Sequence, residues 1–293
     1  MNETAPDPGP RLWAISDLHL NYEVNREGIA ALPDYGDDWL ILGGDIGDGP
    51  EALGIAFDIL QEKFAKLFWV PGNHELWCRP GRGLQLGGEA RYEALVAFCR
   101  ERGVVTPEDP YVAWEGPGEA HLITPCFALY DYSFRPPDVP REGVIAWARE
   151  HGILANDERF LLHEPFPSRD AWCADRVART EARLAAAPAL PKVLINHWPL
   201  RRDLVRLARV PRYSPWCGTQ LTREWHTRWN VAVVINGHLH MRATDWKSGV
   251  RFEEVALGYP RHWKQERGVA HYLRQILPGP AERPQNAGPE WRF

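Results

Sequence analysis

The sequence lacks several features that would place it in common protein classes. Its five cysteines are widely scattered and include no C-x-x-C pair, so we expect neither a disulfide framework nor a thiolate zinc site. No apolar run approaches the roughly 20 residues of a membrane helix, and residues 1–6 have neither the basic nor the apolar region of a secretory signal. With a net charge of -5, the chain also lacks the basic excess of a general nucleic-acid binder. These absences predict a cytoplasmic protein that binds neither membranes nor nucleic acids.

Short apolar runs recur along the chain, and each ends abruptly in polar residues or glycine. Runs this short, rich in Val, Ile and Trp, are typical of buried strands. Helix-like segments such as residues 52–64 lie between the early runs, so strand and helix alternate. This alternation predicts an α/β fold that binds its ligands at the carboxyl ends of the strands. The predicted strands are residues 12–15, 39–42, 67–70, 193–195 and 231–235.

We predict a single domain over residues 11–276. Residues from about 80 to 190 interrupt the alternation with helical patterns at 90–102 and 169–187. Because the strand pattern resumes afterwards, we interpret this region as an elaboration of the same domain. Residues 277–293 are rich in proline and polar side chains, which predicts a loose tail on the surface.

Side chains with acid-base or metal-binding chemistry follow all five predicted strands. A single motif of this kind means little, since D-x-H is common by chance and G-D-x-x-D is usually a capped turn. Five in succession at strand ends indicate one shared site instead. The five segments are Ser16-Asp17-Leu18-His19, Gly43-Gly44-Asp45-Ile46-Gly47-Asp48, Pro71-Gly72-Asn73-His74-Glu75, Asn196-His197 and Asn236-Gly237-His238-Leu239-His240.

Carboxylate, imidazole and amide ligands together suit manganese, iron or zinc. In a strand, residues i and i+2 point to the same side, so we expect Asp17 and His19 to converge on one ion, and likewise His238 and His240 if they are extended. So many ligands exceed the needs of one ion. Glycines at positions 44, 72 and 237 would let the backbone turn sharply beside the site. The other histidines lack this context, and we assign them to the surface or to hydrogen bonds: His121, His151, His163, His226, His262 and His271.

The series D-x-H, G-D-x-x-D, G-N-H-E, H and G-H-x-H resembles the calcineurin-like metallophosphoesterases and extends from residue 17 to residue 240. The resemblance implies a four-layer α/β/β/α sandwich with two metal ions, which together polarise a phosphoryl group. It also implies that His74 protonates the leaving oxygen and that Asp48 supports His74. The implied ligands of the first ion are Asp17, His19 and His240. Those of the second ion are Asn73, His197 and His238. Asp45 is implied to bind both ions.

Several stretches, most of them outside the metal motifs, are similar to the phosphopantetheinyl hydrolases of actinobacteria. They include V-P-G-N-H-E-L-W at 70–77, L-Y-D-Y-S-F at 129–134, W-C-G-T at 216–219 and F-E-E-V-A-L-G-Y-P-R at 252–261. This resemblance implies an enzyme that removes 4'-phosphopantetheine from the serine of an acyl or peptidyl carrier protein. The segment from about 135 to 160 and the tail diverge from it.

Residues 198–209 show a helical pattern, with leucines on one face and arginines on nearly the opposite face. Carrier proteins are generally acidic, so this arginine face could steer one to the site. We therefore consider Arg201 and Arg202 as substrate-binding residues, although the face could equally be merely solvated. Tyr130 and Tyr132 are further candidates for the pocket, with buried packing as the alternative.

Two other functions stay open at this point. The chain could be a phosphatase or phosphodiesterase for a small metabolite or nucleotide, with arginines binding the phosphate. It could also be a metal-binding scaffold on an inactive fold. The scaffold is disfavoured because mere binding needs no proton donor such as His74 beside a full ligand set.

Overall fold

Eleven strands and eight α-helices form the regular structure of residues 9–81, 83–114 and 116–293, which the computed structural model describes. The N-terminal residues 1–6 considered above lie outside these ranges. The strands are β1 (Leu12–Ile15), β2 (Trp39–Leu42), β3 (Lys66–Trp69), β4 (Val112–Trp114), β5 (His121–Pro125), β6 (Lys192–Ile195), β7 (Val231–Asn236), β8 (Ala243–Lys247), β9 (Val250–Glu254), β10 (Arg274–Leu277) and β11 (Ala287–Trp291). The helices are α1 (Glu23–Ala30), α2 (Pro50–Leu60), α3 (Asn73–Leu76), α4 (Gly88–Glu101), α5 (Val144–Arg149), α6 (Asp157–Phe160), α7 (Arg169–Ala186) and α8 (Trp225–Arg228).

The strands form two sheets. One has the order β10-β1-β2-β3, and the other has the order β11-β8-β9-β7-β6-β5-β4. Strands β1, β2 and β3 are parallel to each other, as are β5, β6, β7 and β9. Antiparallel strands lie towards the edges of both sheets. The parallel strands of each sheet therefore present their carboxyl ends at a common edge, where ligands of α/β proteins usually bind.

Alternation of side chains along the strands produces the layers. In β2, Ile41 packs in a cluster with residues of both sheets, such as Phe68 and Ile235. Its neighbours Leu40 and Leu42 point the other way and pack with helix residues. Because successive residues of a strand face opposite sides, one short apolar run can serve both cores. The predicted α/β sandwich, with two facing sheets and helices outside, is confirmed.

The predicted strands agree with the structure to within one residue at each end. Helix α2 corresponds to the helix predicted at 52–64, and α4 and α7 correspond to those predicted at 90–102 and 169–187. The region 80–190 also supplies β4 and β5 to the larger sheet. None of the helices in the described part of the chain has the length and apolarity of a membrane span.

The C-terminal tail differs from the loose segment predicted for residues 277–293. Within it, β11 pairs antiparallel with β8 at the edge of the larger sheet. The next residue, Arg292, donates hydrogen bonds to the Glu253 carboxylate at 2.8 Å and to the Glu254 carbonyl at 2.6 Å. Composition suggested a solvated tail, but a buried carboxylate on β9 gives this arginine a partner that composition does not reveal.

We expect Arg292→Ala to lower the free energy of unfolding by about 1–3 kcal/mol, because it removes hydrogen bonds to a buried carboxylate. The urea midpoint of the variant would measure the loss. Arg283→Ala is a matched control in the same tail, since Arg283 pairs with Glu119 at 3.5 Å on the surface. Exposed pairs contribute little, so this control should stay within about 0.5 kcal/mol of the wild type. Equal effects of the two variants would contradict a specific role for Arg292.

The helix predicted at residues 198–209 is wrong. The structure has only a 3-10 turn at Arg202–Leu204. The Arg206 guanidinium forms two hydrogen bonds with the Asp245 carboxylate of β8, at 2.6 and 2.8 Å. Prolines at 199 and 211 bracket the segment. These tertiary contacts override the helical spacing of leucine and arginine, so the predicted arginine face does not form.

Candidate metal centre

Loops from both sheets bring the first predicted ligand set together. The Nε2 atom of His240 lies 2.9 Å from Asp17 Oδ1 and 3.2 Å from His19 Nε2. Asp17 follows β1, whereas His240 follows β7, so the two sheets meet at this point. The side chains of Asp17 and His19 are almost completely buried. All three ligand atoms lie within 4.8 Å of one another, which is close enough to hold one metal ion.

A second group contains Asp45, His197 and His238, whose ligand atoms also lie within 4.8 Å of one another. The Nε2 atom of His197 is 3.5 Å from Asp45 Oδ2. The other nitrogen of the same ring, Nδ1, donates a hydrogen bond to the Gly43 carbonyl at 2.8 Å. This bond fixes the ring and leaves Nε2 as the atom that faces the cluster.

Three buried atoms of the predicted second ligand set have no hydrogen-bond partner among the described residues. They are Asn73 Oδ1, His197 Nε2 and His238 Nε2. A buried polar atom without a partner is costly, and such exceptions in folded proteins call for a specific cause. An amide oxygen and two imidazole nitrogens are suitable ligands for a divalent ion. The residues present therefore fit a metal ion at this position.

The electrostatics of the cluster also favour a cation. Burial alone lowers the pKa of His197, but attraction to Asp45 outweighs burial and raises this pKa to about 10. Burial alone raises the pKa of Asp17, but its contact with His240 outweighs burial and holds the pKa below the usual range. Buried carboxylates here stabilise positive charge between them, and metal ions would supply such charge.

The backbone at the site is not the extended one expected from the sequence. Five site residues have positive φ angles: Asp17 at 53°, His19 at 44°, Asp45 at 54°, His238 at 72° and His240 at 53°. Non-glycine residues rarely adopt this left-handed conformation, which costs energy and clusters at functional sites. Turns beyond the strands, rather than i, i+2 alternation within them, thus direct these side chains. As a result, His238 and His240 point to different ligand groups.

Glycines permit the close approach that the sequence suggested. A Cβ on Gly72 would lie 2.2 Å from Asp45 Oδ1, and one on Gly237 would lie 2.2 Å from Asp17 Oδ2. Both distances are far below van der Waals contact. Gly44 has a φ of 89°, which side-chain-bearing residues rarely adopt. The carboxylates can therefore sit against the backbone only because these positions lack a side chain.

His74 stands at the rim of the cluster with Asp48 behind it. Its Nδ1 atom lies 2.9 Å from Asp48 Oδ1, and its Nε2 atom lies 3.9 Å from Asp45 Oδ2. Burial alone lowers the pKa of His74, but attraction to Asp45 and the contact with Asp48 raise it above its ordinary value. A partly exposed imidazole that holds its proton is suited to general acid catalysis.

Glu75 joins two of the site loops, a role that the sequence did not reveal. Its buried carboxylate accepts hydrogen bonds from the backbone N–H groups of Asp45 at 3.0 Å, Ile46 at 2.6 Å and Gly72 at 2.9 Å. Burial raises its pKa to about 7. Glu75 therefore holds the loop of Asp45 against the loop that carries Asn73 and His74.

We expect Glu75→Ala to lower the free energy of unfolding by about 3 kcal/mol, because three buried N–H groups lose their acceptor. Metal affinity should also fall by about 10–100-fold, as is usual when a residue that orients ligands is lost. Urea denaturation and metal titration would measure these effects. Glu51→Ala, which changes an exposed glutamate of α2, is the control and should stay within about 0.5 kcal/mol of the wild type. Similar results for both variants would contradict the role of Glu75.

Two further residues contact predicted ligands from distant parts of the chain. Asp157 Oδ1 accepts a hydrogen bond from Asn73 Nδ2 at 3.0 Å, which fixes the amide and leaves its buried oxygen without a partner among the described residues. His262 Nδ1 lies 3.0 Å from His240 Nδ1, although the sequence pattern predicts no place at the site for His262. Neither residue lies in a recognisable motif, so only the tertiary structure reveals them.

The structure does not bring the four predicted substrate-binding residues to this cluster. Tyr130 and Tyr132 are buried, and the Tyr132 hydroxyl donates a hydrogen bond to Glu158 at 2.7 Å. The Arg201 guanidinium bonds Asp203 at 2.9 and 3.1 Å. Arg202 Nε donates to the Phe134 carbonyl at 2.7 Å. Buried packing, the alternative raised above, accounts for the two tyrosines. Arg201 and Arg202 are bonded to a carboxylate and to a backbone carbonyl, respectively, rather than merely solvated.

Comparisons with known proteins agree with this geometry. The calcineurin-like phosphoesterase family model matches residues 10–242. The chain is 47% identical to the [acyl-carrier-protein] phosphodiesterase PptH of Mycobacterium tuberculosis, over 94% of this chain and 86% of that protein. The crystal structure of the phosphopantetheinyl hydrolase PptH from the same organism matches with a TM-score of 0.89 and 45% identity, over 94% of this chain and 99% of the other. The chain therefore belongs to the calcineurin-like phosphoesterase family.

Proposed function

We propose that the chain is a dinuclear-metal phosphodiesterase that releases 4'-phosphopantetheine from a holo carrier protein. Its family hydrolyses phosphoric esters at a dinuclear metal centre. The observation that carries the chemistry is the set of three buried ligand atoms that lack a hydrogen-bond partner among the described residues, together with the Asp17 group. The substrate is inferred from the relative named for acyl carrier protein, which is similar along almost the whole chain. A cytoplasmic location, where such carrier proteins would be met, is part of the proposal.

Each predicted ligand receives a definite role in this proposal. One ion would be held by three side chains and a second ion by three others, with one carboxylate shared. Manganese, iron or zinc would suit this mixture of oxygen and nitrogen ligands, and two such ions would supply positive charge to a phosphoryl group and activate water. The first ion would be held by Asp17, His19 and His240, and the second by Asn73, His197 and His238. The shared carboxylate would be that of Asp45.

The rest of the chemistry falls to His74 and Asp48. Hydrolysis breaks the bond between phosphorus and the serine oxygen, with water supplying the new oxygen on phosphorus. The departing serine alkoxide needs a proton, and His74 Nε2 faces the cluster from which it leaves. Asp48 holds the opposite ring nitrogen, which orients the imidazole and favours its protonated form.

Mass spectrometry of a holo carrier protein incubated with the manganese-loaded enzyme tests this proposal. We expect the carrier to lose the mass of 4'-phosphopantetheine minus water and to regain a free serine. Free phosphomonoesters and an aryl phosphodiester should be assayed in parallel. Unchanged holo protein together with rapid turnover of small esters would replace this proposal with the metabolite phosphatase. Inactivity towards every substrate with each of the three metals would favour the scaffold.

A further inference from the structure

A pocket at the metal centre shares four lining residues with a second pocket farther out, and we call the two together the Arg79 groove. The first pocket, of about 330 Å³, opens against His19 and His74. The second, of about 320 Å³, leads away to Pro50 and Gly83. Arg79 therefore lies on the wall of both pockets. The residues that line both pockets are Asn21, Asp48, Trp77 and Arg79.

The wall of the groove nearest the metal centre is aromatic. The ring of Tyr259 stacks on His19 with centroids 4.4 Å apart, and Tyr22 meets Tyr259 edge-on at 5.8 Å. On the other side, Trp77 lies against His74 at 3.8 Å. The hydroxyls of Tyr22 and Tyr259 donate no hydrogen bond to a residue that the structure describes. Apolar faces with a few free polar atoms are typical of sites for small organic groups.

Arg79 supplies the strongest polar group of the groove, at the junction of the two pockets. Its Nη2 atom lies 3.1 Å from Asp48 Oδ2, and its guanidinium lies over the Trp77 ring at 4.7 Å. The Nε atom is buried and has no acceptor among the described residues. Burial shields Nε itself from a ligand, but the Arg79 side chain is 29% exposed, so its guanidinium can donate to a carbonyl or hydroxyl oxygen of a ligand in the groove.

The two substituents of the phosphodiester differ greatly in size. One is the serine of a folded carrier protein, and neither pocket is large enough to admit a folded protein. The other is the pantetheine arm, a narrow linear chain that alternates apolar carbons with amide and hydroxyl groups. An aromatic wall suits the carbons of such an arm, and the free polar atoms suit its amides.

We propose that the Arg79 groove binds the pantetheine arm, and that the exposed part of the Arg79 guanidinium donates to an oxygen of the arm near the phosphate. This inference rests on the proposed function and adds to it the residues that select the substrate. The carrier protein remains outside, at the mouth of the groove, where Tyr22 is 46% exposed. Arg79 thus both supports Asp48 and recognises the arm, whereas Tyr22 only recognises the arm.

Binding measured by calorimetry tests the groove without any need for turnover. The ligands are free 4'-phosphopantetheine and inorganic phosphate, each titrated into the manganese-loaded protein. Both carry the phosphate, so the ratio of their dissociation constants isolates the arm. We expect the wild type to prefer phosphopantetheine by at least about tenfold, equivalent to about 1.4 kcal/mol. Tyr22→Ala and Arg79→Ala should each bring the ratio towards one.

Leu221→Ala is the matched control, because Leu221 is 49% exposed and lies outside both pockets. It should keep the wild-type ratio. Equal affinity of the wild type for the two ligands would overturn the inference, as would an unchanged ratio in both groove variants. A holo carrier protein that is bound but not hydrolysed, with the preference for phosphopantetheine intact, would refute the proposed function while supporting the groove.

Discussion

Replacing His74 with alanine is expected to slow hydrolysis of a holo carrier protein by about 10²–10⁴-fold while both metal ions remain bound. The ring is held by Asp48 through Nδ1, which leaves Nε2 free to protonate the serine oxygen. The backbone N–H of His74 donates to Asp45 Oδ1 at 2.9 Å, and alanine keeps this hydrogen bond. The variant should therefore remove the proposed proton donor without moving the Asp45 carboxylate. Turnover rates and metal content of the purified protein measure the two outcomes.

The choice of leaving group gives this prediction an internal control. A serine alkoxide needs a proton as it departs, whereas p-nitrophenolate is stable without one. His74→Ala should therefore impair hydrolysis of bis(p-nitrophenyl) phosphate much less than hydrolysis of the holo carrier protein. Metal content is the second readout, because the ligand atoms of His74, His19 and Asp45 lie within 4.8 Å of one another and could together hold a metal ion. Equal losses on both substrates would contradict a general-acid role, and loss of a metal ion would show that His74 is instead needed for metal binding.

The sequence was sufficient to locate the strands and the main site because both depend on local pattern. Leu12–Ile15 and Trp39–Leu42 are four-residue apolar runs that end at serine or glycine, and they are strands with the same bounds. All parallel strands place their carboxyl ends at one edge of their sheet, so the polar residues that follow them converge. Topology therefore turns five separate motifs into one cluster.

What the sequence did not reveal depends on contacts between distant segments. Asp157 orients Asn73 across 84 residues, and Asp245 binds Arg206 across 39 residues. The first contact adds a residue to the site, whereas the second abolishes a predicted helix. The left-handed backbone of Asp17 was equally hidden, because no local rule assigns a positive φ to an aspartate before a leucine. Local sequence pattern thus predicts where the ligands lie, whereas tertiary contacts determine the orientation of each side chain.

The largest effect on metal binding is expected for Asp45, the carboxylate that the proposal assigns to both ions. Asp45 Oδ2 lies 3.5 Å from His197 Nε2 and 3.9 Å from His74 Nε2, so it occupies the centre of the cluster. Asp45→Ala should lower the metal content from two ions per chain, and hydrolysis should fall further than in His74→Ala. Metal analysis by mass spectrometry, followed by titration with manganese, would measure the loss.

Asp48→Ala is the matched comparison, since it makes the same chemical change three residues away. Asp48 contacts His74 and Arg79 but belongs to none of the three groups that could hold a metal ion. The Asp48→Ala variant should keep both metal ions, but its rate of hydrolysis should fall because the imidazole of His74 loses its hydrogen-bond partner. Asp45→Asn keeps the shape of the side chain, and its Oδ1 can still accept the hydrogen bond from His74 N–H, so metal loss in this variant would come from the lost carboxylate rather than from a displaced loop. Full metal content in Asp45→Asn and Asp45→Ala would contradict a shared carboxylate. Equal metal loss in the Asp45 and Asp48 variants would instead indicate general disruption of the loop.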